Sequence, residues 1–237
     1  VNVFELTDDL RMLELENPGQ AYLLRQGDHV IIVDTGTAGQ SDSIAAALRS
    51  WGLDTGAVTH VLLTHWHPDH VGSAAELRSW PNARIWAGKP DAPIISGELP
   101  GAFPDLTPVE QTFYDQVVGH VPPAEPIAVD REFDGYEVVD EIGAHLVPTP
   151  GHTAGSMAVY FPTQKILFTG DVATARDGEV MLGAFNEDRE RAQESFRRLA
   201  EFEVDVVCFG HGAPLIGAET AAFTRAMHAA TVPNPLA

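Results

Sequence analysis

Apolar positions in this chain come in short, dense runs separated by turn formers, and most of the runs are too brief for helices. Residues 1–6, 11–16 and 22–25 read as strands of a meander, broken at Asp8-Asp9 and at Asn17-Pro18-Gly19. Gly27-Asp28 marks a hairpin-like break. Val30-Ile31-Ile32-Val33 then has the unbroken apolar character of a strand buried on both faces. Here the period changes. Ile44, Leu48 and Trp51 recur at helical spacing between the capping group Ser41-Asp42-Ser43 and Gly52, which predicts a helix with its apolar stripe on the core.

Residues 58–64 predict the next strand, and Ala74, Ala75 and Leu77 a helix that runs to Trp80-Pro81. Three later apolar runs, His145-Leu146-Val147, Lys165-Ile166-Leu167-Phe168 and Asp205-Val206-Val207-Cys208, each end at a glycine turn. A helix over about residues 187–201 carries Glu187-Arg191 and Glu194-Arg198 on a solvated face and Ala192, Phe196 and Leu199 on the other. A last helix is predicted near residues 218–229. Residues 87–126 fit neither period. They are dense in proline and glycine, with Ile94, Ile95, Phe103, Phe113 and Tyr114 scattered among them, which predicts an insertion that acts as a lid over the site, with a merely packed excursion as the alternative. There is no internal repeat.

Composition narrows the class. At 237 residues with 44% hydrophobic content, residues 1–237 suit one sizeable domain with a real core. The formal net charge is −20 and there are only two lysines, Lys89 and Lys165, so nucleic acid and anionic membrane surfaces are repelled. Cys208 is the sole cysteine, which excludes an intrachain disulfide and, within its apolar run, predicts a buried thiol. No window has the length of a membrane span, and Val1-Asn2-Val3-Phe4 lacks a basic-then-apolar signal pattern, so a cytoplasmic address is the expectation. The expected partner is a small-molecule substrate. Nothing in the sequence sets the oligomeric state.

Chemistry concentrates in His65-Trp66-His67-Pro68-Asp69-His70, directly behind the apolar run Val61-Leu62-Leu63-Thr64. With ten histidines in the whole chain, three imidazoles and a carboxylate within six residues make a poor accident. His65 and His67, two apart on extended chain, point the same way and can grip one ion. Pro68 turns the chain, so Asp69 and His70 can reach a second ion nearby. Neutral imidazole suits zinc, iron and manganese, and a carboxylate helps hold a second cation. The hexapeptide completes neither site. Gly151-His152-Thr153, Gly170-Asp171 and Gly210-His211-Gly212 offer the remaining ligands, each in a glycine turn after a strand.

With Asp34-Thr35-Gly36 added, these motifs in this order resemble the metallo-β-lactamase superfamily, in the di-metal hydrolase branch of glyoxalase II and the acyl-homoserine lactonases. The resemblance implies a four-layer αβ/βα sandwich. It implies two metal ions, zinc with iron or manganese as variants, one held by His65, His67 and His152 and the other by Asp69, His70 and His211, with Asp171 bridging. Asp34 would orient the ligand loop, where a plain turn former is the competing reading. Met181, Leu182 and Phe185 are read as lining an apolar substrate pocket near Asp171, with core as the alternative.

Two cations sharing a water lower its pKa toward neutrality, so the implied chemistry is attack by metal-bound hydroxide on a small ester, lactone or thioester, with Asp69 or a metal-bound water returning the proton. Substrate features are mixed. Similar lactonases carry tyrosine three residues after the bridging aspartate, where this chain has Thr174, and Tyr114 would replace it only from a folded lid. Glyoxalase II proteins have a basic C-terminal extension, and here no basic cluster follows His211. True β-lactamases lack an aspartate like Asp171. The second class is a mononuclear iron persulfide dioxygenase using His65, His152 and Asp171, and the third a metal-stabilised binding protein without turnover. His29, His60, His120, His145 and His228 are read as structural or surface residues.

Overall fold

The computed structural model describes residues 1–15 and 19–229. Glu16, at the end of one predicted strand, and Asn17-Pro18 of the predicted break lie outside the described residues. The chain forms two compact units, one from the described residues of 1–100 with 121–133, the other from 101–120 and the described residues from Asp134 onward.

The first unit is a seven-stranded sheet in sequence order. β1 (Asn2–Thr7), β2 (Leu10–Glu14), β3 (Gln20–Gln26) and β4 (His29–Val33) form the predicted antiparallel meander. Three parallel strands follow, β5 (Val58–Leu63), β6 (Arg84–Gly88) and β7 (Arg131–Phe133). Parallel neighbours need crossovers, and here these carry helices α1 (Ser41–Ser50), α2 (Pro68–Val71), α3 (Ala74–Leu77) and α4 (Ala92–Ile95). Val30, Ile32, Val61, Leu63, Ile85 and Ala87 project from one sheet face into a core with Ile44, Leu48, Val71, Leu77 and Ile95 of the helices. Ile31, Val33, His60, Leu62 and Trp86 alternate with them and are buried as well, which is why these strands read as unbroken apolar runs.

The second unit begins with α5 (Pro108–Val117), taken from the stretch that fits neither period. Its six-stranded sheet runs in the order β15-β14-β11-β10-β9-β8, from β8 (Glu137–Val139), β9 (Ala144–Pro148), β10 (Met157–Phe161), β11 (Ile166–Phe168), β14 (Val206–Cys208) and β15 (Leu215–Ile216). β12 (Ala173–Arg176) and β13 (Glu179–Leu182) make a separate ribbon. Helices α6 (Arg189–Arg198) and α7 (Thr220–Met227) bury Ala192, Phe196, Phe223 and Met227 on Val147, Leu167, Val207 and Phe209 of the sheet and on Val180 and Leu182 of the ribbon.

Two details differ from the periodicity. α6 starts at Arg189 because the Asp188 side chain caps it, accepting from the Arg191 amide, and Glu187 is left outside to accept from the Ala154 amide at 3.0 Å. Residues 87–126 are not uniformly irregular. They include the end of β6, α4, whose Ile95 joins the first core, and α5, which opens with a Thr107/Glu110 capping box in the second unit. Among the described residues no helix is long and apolar enough to cross a membrane. Cys208 is fully buried, and burial pushes its thiol well above the ordinary value.

Candidate metal centre

In the first unit the ligand cluster hangs on one carboxylate. β4 ends at Asp34, whose left-handed backbone turns the side chain under the end of β5. One Asp34 oxygen accepts from the Thr64 amide at 2.8 Å; the other accepts from the Thr64 hydroxyl and from His70 Nδ1, each at 2.8 Å. Because the Thr64 hydroxyl spends its single proton on Asp34, it accepts from His65 Nδ1 at 3.0 Å. Both imidazoles therefore carry their proton on Nδ1 and present the Nε2 lone pair, the form that ligates metal.

The hexapeptide folds as its composition requires. His67 keeps extended backbone, Pro68 occupies the first turn of α2, and the amides of His70 and Val71 return to the His67 carbonyl. The rings of His65 and His67 stand 4.7 Å apart, those of His65 and His70 4.0 Å, and His70 Nε2 lies 3.8 Å from Asp69 Oδ2. His65 and His70 are buried, while Asp69 and His67 keep part of their surface open. Asp91, fully buried, accepts from the Trp66 amide at 3.0 Å and fixes the hexapeptide from α4; no pattern in the sequence marks it. The Thr35 amide and hydroxyl both donate to the His70 carbonyl.

In the second unit His152, Asp171 and His211 converge. Asp171 Oδ2 lies 3.8 Å from His152 Nε2 and 3.3 Å from His211 Nε2. Gly151 lets the His152 turn sit on the start of α6, since a Cβ there would fall 2.1 Å from the Ala192 nitrogen, and its φ is +129°. The Asp188 and Glu187 amides donate to the Gly151 and His152 carbonyls, and Ser195 Oγ to that of Pro150. Asp171 lies in a single tight turn after β11, and Gly183 approaches its carbonyl so closely that a Cβ would lie 1.8 Å away. Thr174 donates its hydroxyl to the His211 carbonyl at 2.8 Å, so this threonine holds a ligand loop.

The structure thus brings His65, His67, Asp69 and His70 together in one unit and His152, Asp171 and His211 in the other, and all seven are candidate metal ligands. Their chemistry fits a divalent ion. Donor atoms around a tetrahedral ion at about 2.1 Å stand roughly 3.4 Å apart, close to the separations around Asp171. The other histidines do different work. His60 is buried, edge-on to Trp86, and accepts from Arg84, and His145 meets the Tyr136 hydroxyl at 2.7 Å. Of the three residues read as a pocket lining, Leu182 belongs to the core, and Phe185 stacks on α5.

Comparison with known proteins agrees with this architecture. Residues 16–211 match the family described as the metallo-beta-lactamase superfamily. The chain belongs to that superfamily, as a metallo-hydrolase with a candidate metal-binding set of histidines and aspartates. Over 219 residues it is 28% identical to the probable metallo-hydrolase YybB of Bacillus subtilis, covering 90% of this chain and 87% of that one. It is 27% identical over 206 residues to the uncharacterized protein YobT of the same organism, covering 82% and 83% of the two chains. Among solved structures, a metallo-beta-lactamase with a HARLDQ motif from Cronobacter sakazakii superposes with a TM-score of 0.67 at 20% identity, covering 89% of this chain and 78% of its own. A metallo-beta-lactamase family protein from Thermus thermophilus gives 0.64 at 21% identity, covering 92% and 78%. The α/β sandwich expected from the sequence is the metallo-beta-lactamase fold of these structures.

Proposed function

We propose that this protein is a binuclear zinc-dependent hydrolase of a small, uncharged ester, lactone or thioester. The observation that carries the reading is the carboxylate oxygen of Asp171 facing the Nε2 atoms of both His152 and His211, the placement a bridging ligand needs. Following the motif order of the family, His65, His67 and His152 would hold one ion, Asp69, His70 and His211 the other, and Asp171 both. Divalent ions held this way would acidify a water and polarise a substrate carbonyl. Asp34 and Thr64 fix the imidazole tautomers by the bonds described above. Asp69, with part of its carboxylate open to solvent, would carry a proton to the leaving atom. A net charge of −20 disfavours anionic substrates.

The single-iron dioxygenase reading uses His65, His152 and Asp171 alone. It would leave His211 Nε2 at 3.3 Å from Asp171 Oδ2 without a part in metal binding. Zinc-loaded protein tested against lactones, thioesters, aryl esters and a β-lactam discriminates the readings. Turnover of one of the first three classes, lost in Asp171→Ala, is expected. Oxygen uptake with a glutathione persulfide by the iron-loaded protein, without ester hydrolysis, would overturn the proposal.

A further inference from the structure

We infer that Phe185, with Phe113, Tyr114 and Phe103, receives the apolar acyl or alkyl arm of the substrate and sets its preferred length; the inference rests on the hydrolase reading above. Phe185 lies on the segment that ties the two buried ligand turns of the second unit together. Two residues before it, Gly183 packs on the Asp171 carbonyl and its amide donates to Val172. Two residues after it, the Glu187 amide donates to the His152 carbonyl at 3.1 Å. The backbone of residue 185 is thus anchored on both sides to the turns that carry Asp171 and His152.

Phe185 is also a bulky residue at φ +60°, where glycine or asparagine is the ordinary occupant. The ring stands there against the backbone preference. It lies nearly parallel to Phe113 of α5, with centroids 5.8 Å apart, and edge-on to Tyr114 at 5.3 Å, which is itself 5.3 Å from Phe103. The cluster is not sealed. Phe103 is 66% exposed and Phe113 42%, and Phe185 and Tyr114 keep part of their surface open. α5 presents these rings outward and buries Glu110 instead, paired with Arg189 at the start of α6, so the nearby cation is already neutralised. An open aromatic surface whose neighbouring Arg189 is already paired with Glu110 suits an uncharged hydrocarbon group and not a carboxylate.

Phe185→Gly is the informative variant because glycine accepts the left-handed backbone and removes only the ring. With zinc-loaded protein and p-nitrophenyl esters from acetate to decanoate, the ratio of kcat/KM for the octanoate to that for the acetate should fall about tenfold in Phe185→Gly. Zinc content and Tm report separately on the site and the fold, and both should match wild type. An unchanged chain-length ratio in Phe185→Gly would overturn the assignment. Should wild type hydrolyse no ester, lactone or thioester, the hydrolase reading fails. In that case, and where these esters alone are not hydrolysed, binding of the non-hydrolysable decanamide, followed by calorimetry, decides this assignment. Binding weakened about tenfold in Phe185→Gly supports the aromatic arm site, and equal binding or none by wild type refutes it.

Discussion

Asp34 and Gly151 are the residues on which single-site chemistry turns. Asp34 accepts three hydrogen bonds and through them sets the tautomers of His65 and His70. Asp34→Asn introduces an amide hydrogen where an acceptor is needed, and losses of this kind weaken metal affinity about 10–100-fold. Chelator competition should show that loss with the fold intact by circular dichroism, and unchanged affinity would remove Asp34 from the account. Gly151→Ala forces a Cβ into the backbone of α6 and should cost about 3 kcal/mol in denaturant unfolding. The candidate ligands were legible because metal chemistry admits few residue types and clusters them in sequence. Thr64, Asp91 and Thr174 were not, because they act through backbone amides, carbonyls and ring nitrogens that any number of polar residues could serve.

Among the described elements, α5 is tied to α6 by a buried polar contact, Glu110 with Arg189. Burial raises the Glu110 carboxyl, but the hydrogen bond from Arg189, with those from the Thr107 amide and hydroxyl group and the Arg189 charge, outweighs it and holds the pKa below its usual value. A carboxyl lowered on folding contributes stability that is fully present above the unfolded value of 4.5 and is lost as pH falls through the folded value. Hydrogen exchange in α5 should accordingly speed up as pH drops below about 4.5, after correction for intrinsic rates, before the core strands open. Arg189→Ala, which strands a buried carboxylate, should destabilise the second unit by about 3 kcal/mol and release α5 at neutral pH. Intact α5 protection in Arg189→Ala would contradict this. Strands were readable from their apolar runs, whereas α5 was hidden: its apolar residues Val109 and Phe113 face outward, against the pattern by which a surface helix is recognised.

For the whole molecule, 34 acidic against 14 basic residues make self-repulsion a general cost to the folded state. Raising sodium chloride from about 10 mM to about 150 mM shortens the Debye length to about 8 Å and should raise Tm by a few degrees, and a falling Tm would argue against net repulsion. The superfamily was legible because its motifs are spread in order over most of the chain. Substrate identity was not: Phe185 could be singled out as a pocket candidate, but the rings of α5 that meet it come together with it only in the fold. The account stands most directly on the metal count. Protein reconstituted with zinc, freed of loose metal and assayed by elemental analysis should hold about two zinc ions per chain, reduced in Asp171→Ala. One ion per chain in wild type, unchanged in His211→Ala, would contradict a binuclear hydrolase.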